Sequence, residues 1–210
     1  MEADIILDFF SGSATTAHAV LAQNAEDQGN RRFIMVQLPE PTGNPEYPTI
    51  ADIGKERIRR AAKKIKAENP MFHGDLGFKV LKLTESNFRI WNADTVDAES
   101  LPEQLEIFAG NLRDDAEAED ILFEIILKAG MDLSADRKAV SVGGQTWHSI
   151  ADGELAVCVE PHITKETLAA IIAAKPGRVV CLDSSFDGND ALKTNTVLQM
   201  KDAGIQFQTM

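Results

Sequence analysis

IILDFFSGSATTAHAVL, residues 5–21, passes within seventeen positions from an apolar run into a small-residue loop and then into a run with helical spacing. The first part predicts a strand over residues 4–9 and the last a helix over residues 15–27, with residues 10–14 as a tight loop between them. A strand that turns directly into a helix leaves backbone N–H groups at the carboxyl end of the strand. The helix dipole there favours an anionic group by roughly 0.3–1 kcal/mol in exposed settings. Gly12 allows the backbone to turn and to approach a ligand closely. Ser13, Thr15 and Thr16 can cap the helix or hydrogen-bond a carboxylate. On residue chemistry alone, this is either a loop for a nucleotide or small anion, or an ordinary capped strand-to-helix turn.

The pattern repeats outward from that loop. Gln28-Gly29-Asn30 ends the first helix. A second strand is expected over residues 32–38, stopped by Pro39. A loop rich in Pro, Gly and Asn covers residues 39–48, and a helix follows over residues 49–68, with Ile50, Ile53, Ile58, Ala61 and Ile65 near helical spacing. GFKVLKL, residues 77–83, predicts a third strand with Phe78 and Val80 facing inward and Leu81 and Leu83 as further candidates for that face. The alternation implies parallel pairing with right-handed crossovers.

Residues 89–117 are acidic and irregular, and predict a linker with one helix near residues 102–112. Beyond them the pattern gives a helix over 118–130, strands near 139–142, 146–150 and 155–159, and a Gly143-Gly144 hairpin turn. A helix over 165–174, a strand over 178–182, a helix over 190–203 and a strand over 205–209 complete it. The fold class is α/β: a partial Rossmann-like sheet of parallel strands one to three in residues 1–88, then a smaller C-terminal α/β domain in residues 118–210.

Composition narrows the function. The 210 residues are 44% hydrophobic, enough for real cores, and carry a formal net charge of -12, a field that repels phosphate. Contact with nucleic acid must then come from a local basic patch or from another segment. No apolar run reaches the roughly 18 residues of a membrane span, and no secretory signal opens the chain, so a cytoplasmic protein with no membrane partner is expected. Cys158 and Cys181 sit far apart in apolar runs and read as buried thiols without metal or redox spacing.

DFFSGSATTAHAVL resembles the S-adenosylmethionine-binding motif of DNA amino-methyltransferases, usually DxFxGSGTT. The likeness is greatest to the modification subunit of type III restriction-modification systems. RRFIMVQLPEP, TIADIGKERIRRAAKKI, GFKVLKL and SNFRIW follow in that family's order, and the C-terminal run from Arg178 to Phe207 looks like the end of that subunit. The resemblance implies a DNA adenine methyltransferase with S-adenosylmethionine as cofactor. Asp8, Phe9, Phe10, Ser11, Gly12 and Ser13 would line the methionine end, with Thr15 and Thr16 at the helix start. Gln37 stands where most such enzymes place a glutamate for the ribose hydroxyls, and Glu40 could substitute for it. Ala14 replaces the usual glycine; if that position needs positive φ, alanine costs on the order of 1 kcal/mol.

The family's base-binding motif, (D/N)PP(Y/F), accepts hydrogen bonds from the target amine and stacks on the flipped base. The lookalike Asn44-Pro45-Glu46-Tyr47 has glutamate at the second proline and follows the second strand rather than the fourth, so it reads as a surface turn. No catalytic residue and no metal ligand is therefore assigned. In the resembling subunits the catalytic and target-recognition regions precede the cofactor motif, so the chain reads as a C-terminal part, inactive alone. Its first strand should have an unpaired apolar edge, which predicts a homodimer or disorder near the loop. The basic run Lys55, Arg57, Arg59, Arg60, Lys63, Lys64 and Lys66 reads as a solvated helix face, with a phosphate contact as the alternative. The scattered histidines show no metal pattern, and Asp183 to Asp190 reads as capping of the helix that follows. By resemblance, the partners are DNA, through regions outside these residues, and the restriction subunit. The alternative function is an assembly or dimerisation domain that binds no cofactor.

Overall fold

The computed structural model describes residues 4–89 and 112–210. The helix expected near residues 102–112 falls almost wholly outside them, as does Trp91. The chain divides into two compact units, Met1–Val80 and Leu81–Met210.

The first unit is one βαβ crossover with a second helix. Strand β1 (Ile5–Asp8) leads through the loop into α1 (Thr15–Asp27), and β2 (Arg32–Met35) returns parallel to β1, with Leu7 opposite Ile34. Helix α2 (Ile50–Glu68) starts in a capping box. The Thr49 hydroxyl accepts from Asp52 N at 3.2 Å, and the Asp52 carboxylate accepts from Thr49 N at 3.0 Å. Such caps stabilise a helix by about 1 kcal/mol. Small residues let α1 and α2 approach: Ala14, Ala17 and Ala61 are buried with Leu21, Ile58 and Ile65, and Phe33, Met35 and Phe78 close the cluster. The strands thus have one covered face. On the other, Ile5, Leu7, Phe9, Ile34, Val36 and Leu38 are each 48–66% exposed.

The expected third strand is not formed. Residues 77–83 make no ladder with β2, and the described sheet of this unit has two strands. Alternation supplies strand propensity, but a strand also needs a paired edge and a face to cover. Phe78 finds cover against α2, with the Arg59 guanidinium 5.8 Å from its ring centroid. Leu83 finds none and is fully exposed. The larger sheet therefore lies in the second unit, not the first.

That unit is a three-layer sandwich. Helix α3 (Ala118–Lys128) precedes β3 (Arg137–Val142), β4 (Gln145–Ile150) and β5 (Leu155–Cys158). These are followed by α4 (Lys165–Ala174), β6 (Arg178–Cys181), α5 (Asp190–Asp202) and β7 (Gln206–Thr209). The strands lie in chain order, antiparallel from β3 to β5 and parallel from β5 to β7. Gly143 and Gly144 both take positive φ, 58° and 84°, as the tight β3–β4 turn requires. Every residue of β5 is buried, and its side chains alternate between the faces. Leu155 and Val157 meet α3 residues Ile121, Leu122, Ile125 and Ile126. Ala156 and Cys158 meet the cluster of Leu168, Ile171 and Met200 from α4 and α5. Both cysteines are buried free thiols; burial pushes Cys158 up to about 11 and Cys181 well above the usual thiol range.

One polar clamp ties residues 86–88 to α3. Glu124 accepts from the Ser86 hydroxyl, from Asn87 N at 2.7 Å, from Asn87 Nδ2 at 2.9 Å and from Lys128 Nζ at 2.8 Å. Burial opposes its charge, but the bonds from Lys128, Ser86 and Asn87 outweigh burial and hold the carboxyl down at about 2. A folded pKa below the unfolded one gives stability that is present above about 4.5 and lost as pH falls towards 2. We expect this one group to account for about 2–3 kcal/mol of acid sensitivity. In urea titrations from pH 6 to pH 2.5, Glu124→Gln should be less stable than the parent at pH 6, and the gap should close at the acid end. A constant gap would refute this account.

Candidate functional site

The loop between β1 and α1 is built from hydrogen bonds to its own neighbours. Asp8 ends β1, and its two carboxylate oxygens separate their roles. Oδ2 accepts from the Thr16 hydroxyl at 2.6 Å, and Oδ1 accepts from Phe10 N at 3.2 Å. Ser11 is buried and donates to the Val36 carbonyl from N at 3.2 Å and from Oγ at 3.3 Å. Gly12 N donates to Gln37 Oε1 at 2.7 Å. These three bonds staple the loop to the chain just past β2.

The loop needs left-handed backbone twice. Gly12 has φ 52°, and Ala14, the cap of α1, has φ 60° and ψ 42°. The alanine standing in the motif for glycine is thus in the strained region, at a cost on the order of 1 kcal/mol. Its methyl group is buried in the α1–α2 cluster, which returns roughly 0.8 kcal/mol. Gly54 on α2 makes room for it: a Cβ at Gly54 would stand 3.3 Å from Ala14 Cβ and 3.5 Å from the Gly12 carbonyl oxygen.

Neither Ser13, Thr15 nor Thr16 caps α1, which has no side-chain cap. The N–H groups of Thr15 and Thr16 in its first turn therefore have no capping side chain. Thr16 turns to Asp8 instead, and the Ser13 hydroxyl accepts from Arg57 Nη2 at 3.2 Å. Arg57 is a correction to the reading of the basic run as a solvated face. Lys55, Arg59, Arg60 and Lys64 do pair with acids on their own helix, whereas Arg57 reaches across to the loop. Phe9 and Phe10 lie at the mouth, ring centroids 5.1 Å apart, with Phe10 83% exposed. Gln37 is brought to the loop. Glu40 is not: it is exposed, and among the described residues no hydrogen bond joins its carboxylate to residues 8–16.

The sequence missed Gly54 and Arg57. Gly54 left a signal, a glycine on the apolar stripe of α2 in step with Ile50, Ile58, Ala61 and Ile65. Arg57 left none, because its partner is 44 positions away.

The Asn44-Pro45-Glu46-Tyr47 turn consumes its own polar groups. Asn44 Oδ1 accepts from Glu46 N at 2.9 Å, and the Tyr47 hydroxyl donates to Glu46 Oε1 and accepts from Arg60 Nη2, both at 3.0 Å. A hollow of about 380 Å³ beside it is lined by Glu46, Tyr47, Asp52, Lys55, Glu56 and Arg59. Its walls are ion pairs, and none of its lining residues belongs to the loop, so we place the candidate site at residues 8–16. In the second unit, Asn189 caps α5 by accepting from Leu192 N at 3.0 Å, while Asp183 accepts from Lys193 Nζ. That agrees with a capping role for this stretch. Among the described residues no cluster of His, Cys, Asp or Glu could hold a metal ion, and no helix is long and apolar enough to cross a membrane.

The chain is thus an α/β protein whose first unit carries a strand–loop–helix turn as its candidate site. No protein-family model matches it. By sequence it is a relative of the Mod subunits of type III restriction-modification enzymes, the family that the motifs resemble. It is 32% identical to the EcoP15I Mod subunit of Escherichia coli over 93% of its own length and 30% of that protein's. It is 28% identical to the EcoPI Mod subunit of Escherichia phage P1 over 90% of its length and 31% of that protein's. Over 81 residues it is 49% identical to the StyLTI Mod subunit of Salmonella typhimurium, covering 12% of it. The chain therefore spans about a third or less of the relatives it matches.

Proposed function

We propose that residues 8–16 hold the methionine end of S-adenosylmethionine, and that the chain supplies the cofactor-binding part of a site-specific DNA adenine methyltransferase in a type III restriction-modification system. The single observation that carries this reading is the donor set around the loop. A zwitterionic tail needs a carboxylate for its ammonium group and N–H donors for its carboxylate. Asp8 offers the first, and the uncapped start of α1 together with Arg57 offers the second. The exposed Phe10 ring adds an apolar wall.

Bound there, the sulfonium would supply an activated methyl group for direct displacement by the exocyclic amine of adenine. The residues of this chain orient rather than react. Asp8 fixes the ammonium group and, through Thr16, the start of α1. Ser11 keeps the loop against the end of β2. The groups that grip the flipped base would come from polypeptide outside these 210 residues. The two-stranded parallel unit would then form part of a Rossmann-like sheet, with further strands pairing at its edge and helices of the rest of that domain covering its exposed apolar face. The unit from Leu81 onward would serve assembly, with the restriction subunit and a second modification subunit as partners and DNA held mainly elsewhere.

Titration calorimetry tests this directly. The chain should bind S-adenosylmethionine with micromolar affinity, and Asp8→Ala should weaken it at least about tenfold by removing a charge-assisted bond. No heat at millimolar ligand would overturn cofactor binding and leave the assembly role.

A further inference from the structure

Gln37 stands at the end of β2, where a ribose-binding residue is expected, yet its side chain is engaged elsewhere. Its Oε1 accepts from Gly12 N at 2.7 Å, and its Nε2 donates to the Leu38 carbonyl at 3.2 Å. Only an amide can do both at once; a carboxylate accepts but cannot donate. The bond from Gly12 is placed where the loop is strained, between Ser11, tied to the Val36 carbonyl, and Ala14 in left-handed backbone.

The geometry points to Gln37 as the positioning residue of the cofactor loop, acting through Gly12, rather than as the grip on the ribose. This rests on the cofactor reading given above. The amide holds Gly12 N in place, and Gly12 in turn sets where the first-turn N–H groups of α1 stand. Binding of the amino-acid tail depends on that placement, whereas binding of the nucleoside does not. The glutamine is therefore matched to its task and is not a weakened glutamate.

The two roles separate by ligand and by variant. Gln37→Met keeps the size of the side chain and removes both hydrogen bonds. In the ligand-free chain it should speed amide exchange at Gly12 about tenfold, the loss expected for one such bond. It should weaken S-adenosylhomocysteine about tenfold and leave 5′-methylthioadenosine, which lacks the amino-acid tail, within twofold. Gln37→Glu should not tighten either ligand. Equal losses for both ligands in Gln37→Met, or tighter binding in Gln37→Glu, would return Gln37 to the ribose. Unchanged Gly12 exchange would remove it from the loop. A parent chain that binds neither nucleoside refutes the proposed function instead, and Gly12 exchange then decides the role of Gln37 without it.

Discussion

Replacing Ile125 by alanine is expected to destabilise the second unit by about 3–4 kcal/mol, within the usual range for a buried Ile→Ala change. Ile125 is fully buried and lies on α3, which covers one sheet face. Its neighbours in that cluster are Leu155, Val157 and Val180 on two central strands, and the strands pair in register over their whole length. A strand backbone held on both sides cannot collapse into the space left behind, so the cavity term is kept rather than relaxed away. Leu127, two positions later, gives the control. It is 59% exposed, and Leu127→Ala should change stability by no more than about 0.5 kcal/mol. Urea unfolding followed through the buried Trp147 measures both. Equal effects at the two positions would mean that α3 does not cover the sheet as described.

Local signals were the legible ones. The Gly143-Gly144 turn, the Thr49 start of α2 and the Lys165–Ala174 helix stand where their residues place them, because turn chemistry, capping and helical period act within a few positions. The loop from Asp8 to Thr16 was legible as a strand-to-helix turn for the same reason, and Ala14 took the left-handed backbone that the motif implied. What failed is non-local. GFKVLKL carries the alternation of a strand, but its pairing depends on a partner edge that no local pattern specifies. Arg57 reads as one more solvated cation in a basic run until α2 is laid against the loop. Ser13 and Thr16 look like caps, yet each is taken by a side chain from elsewhere: Ser13 by Arg57, 44 positions away, and Thr16 by Asp8.

Gly54→Val is expected to weaken the proposed S-adenosylmethionine binding at least about 100-fold while costing only about 1–3 kcal/mol of stability. The single Cβ of an alanine would already stand 3.3 Å from Ala14 Cβ, with Ala14 N at 3.7 Å and the Gly12 carbonyl at 3.5 Å. Gly54→Ala therefore asks for a shift of a few tenths of an ångström, and replacing a mid-helix glycine offsets it by up to about 1 kcal/mol of helix propensity. Valine adds two methyl groups against backbone that has nowhere to retreat. Ser11 ties the loop to the Val36 carbonyl, and Ala14 is already in left-handed backbone. The loop must then lift off the helix, and the N–H groups of the first turn of α1 move with it. Losing two of the charge-assisted bonds those N–H groups would make to a carboxylate, each worth about 1.5–3 kcal/mol, is a loss of that size. Calorimetry on the alanine and valine variants, with thermal melts to show that both fold, separates the outcomes. Parent-like affinity in a folded Gly54→Val chain would show that ligand binding does not depend on the seat of α2 against residues 12–14, and the site would have to be sought elsewhere.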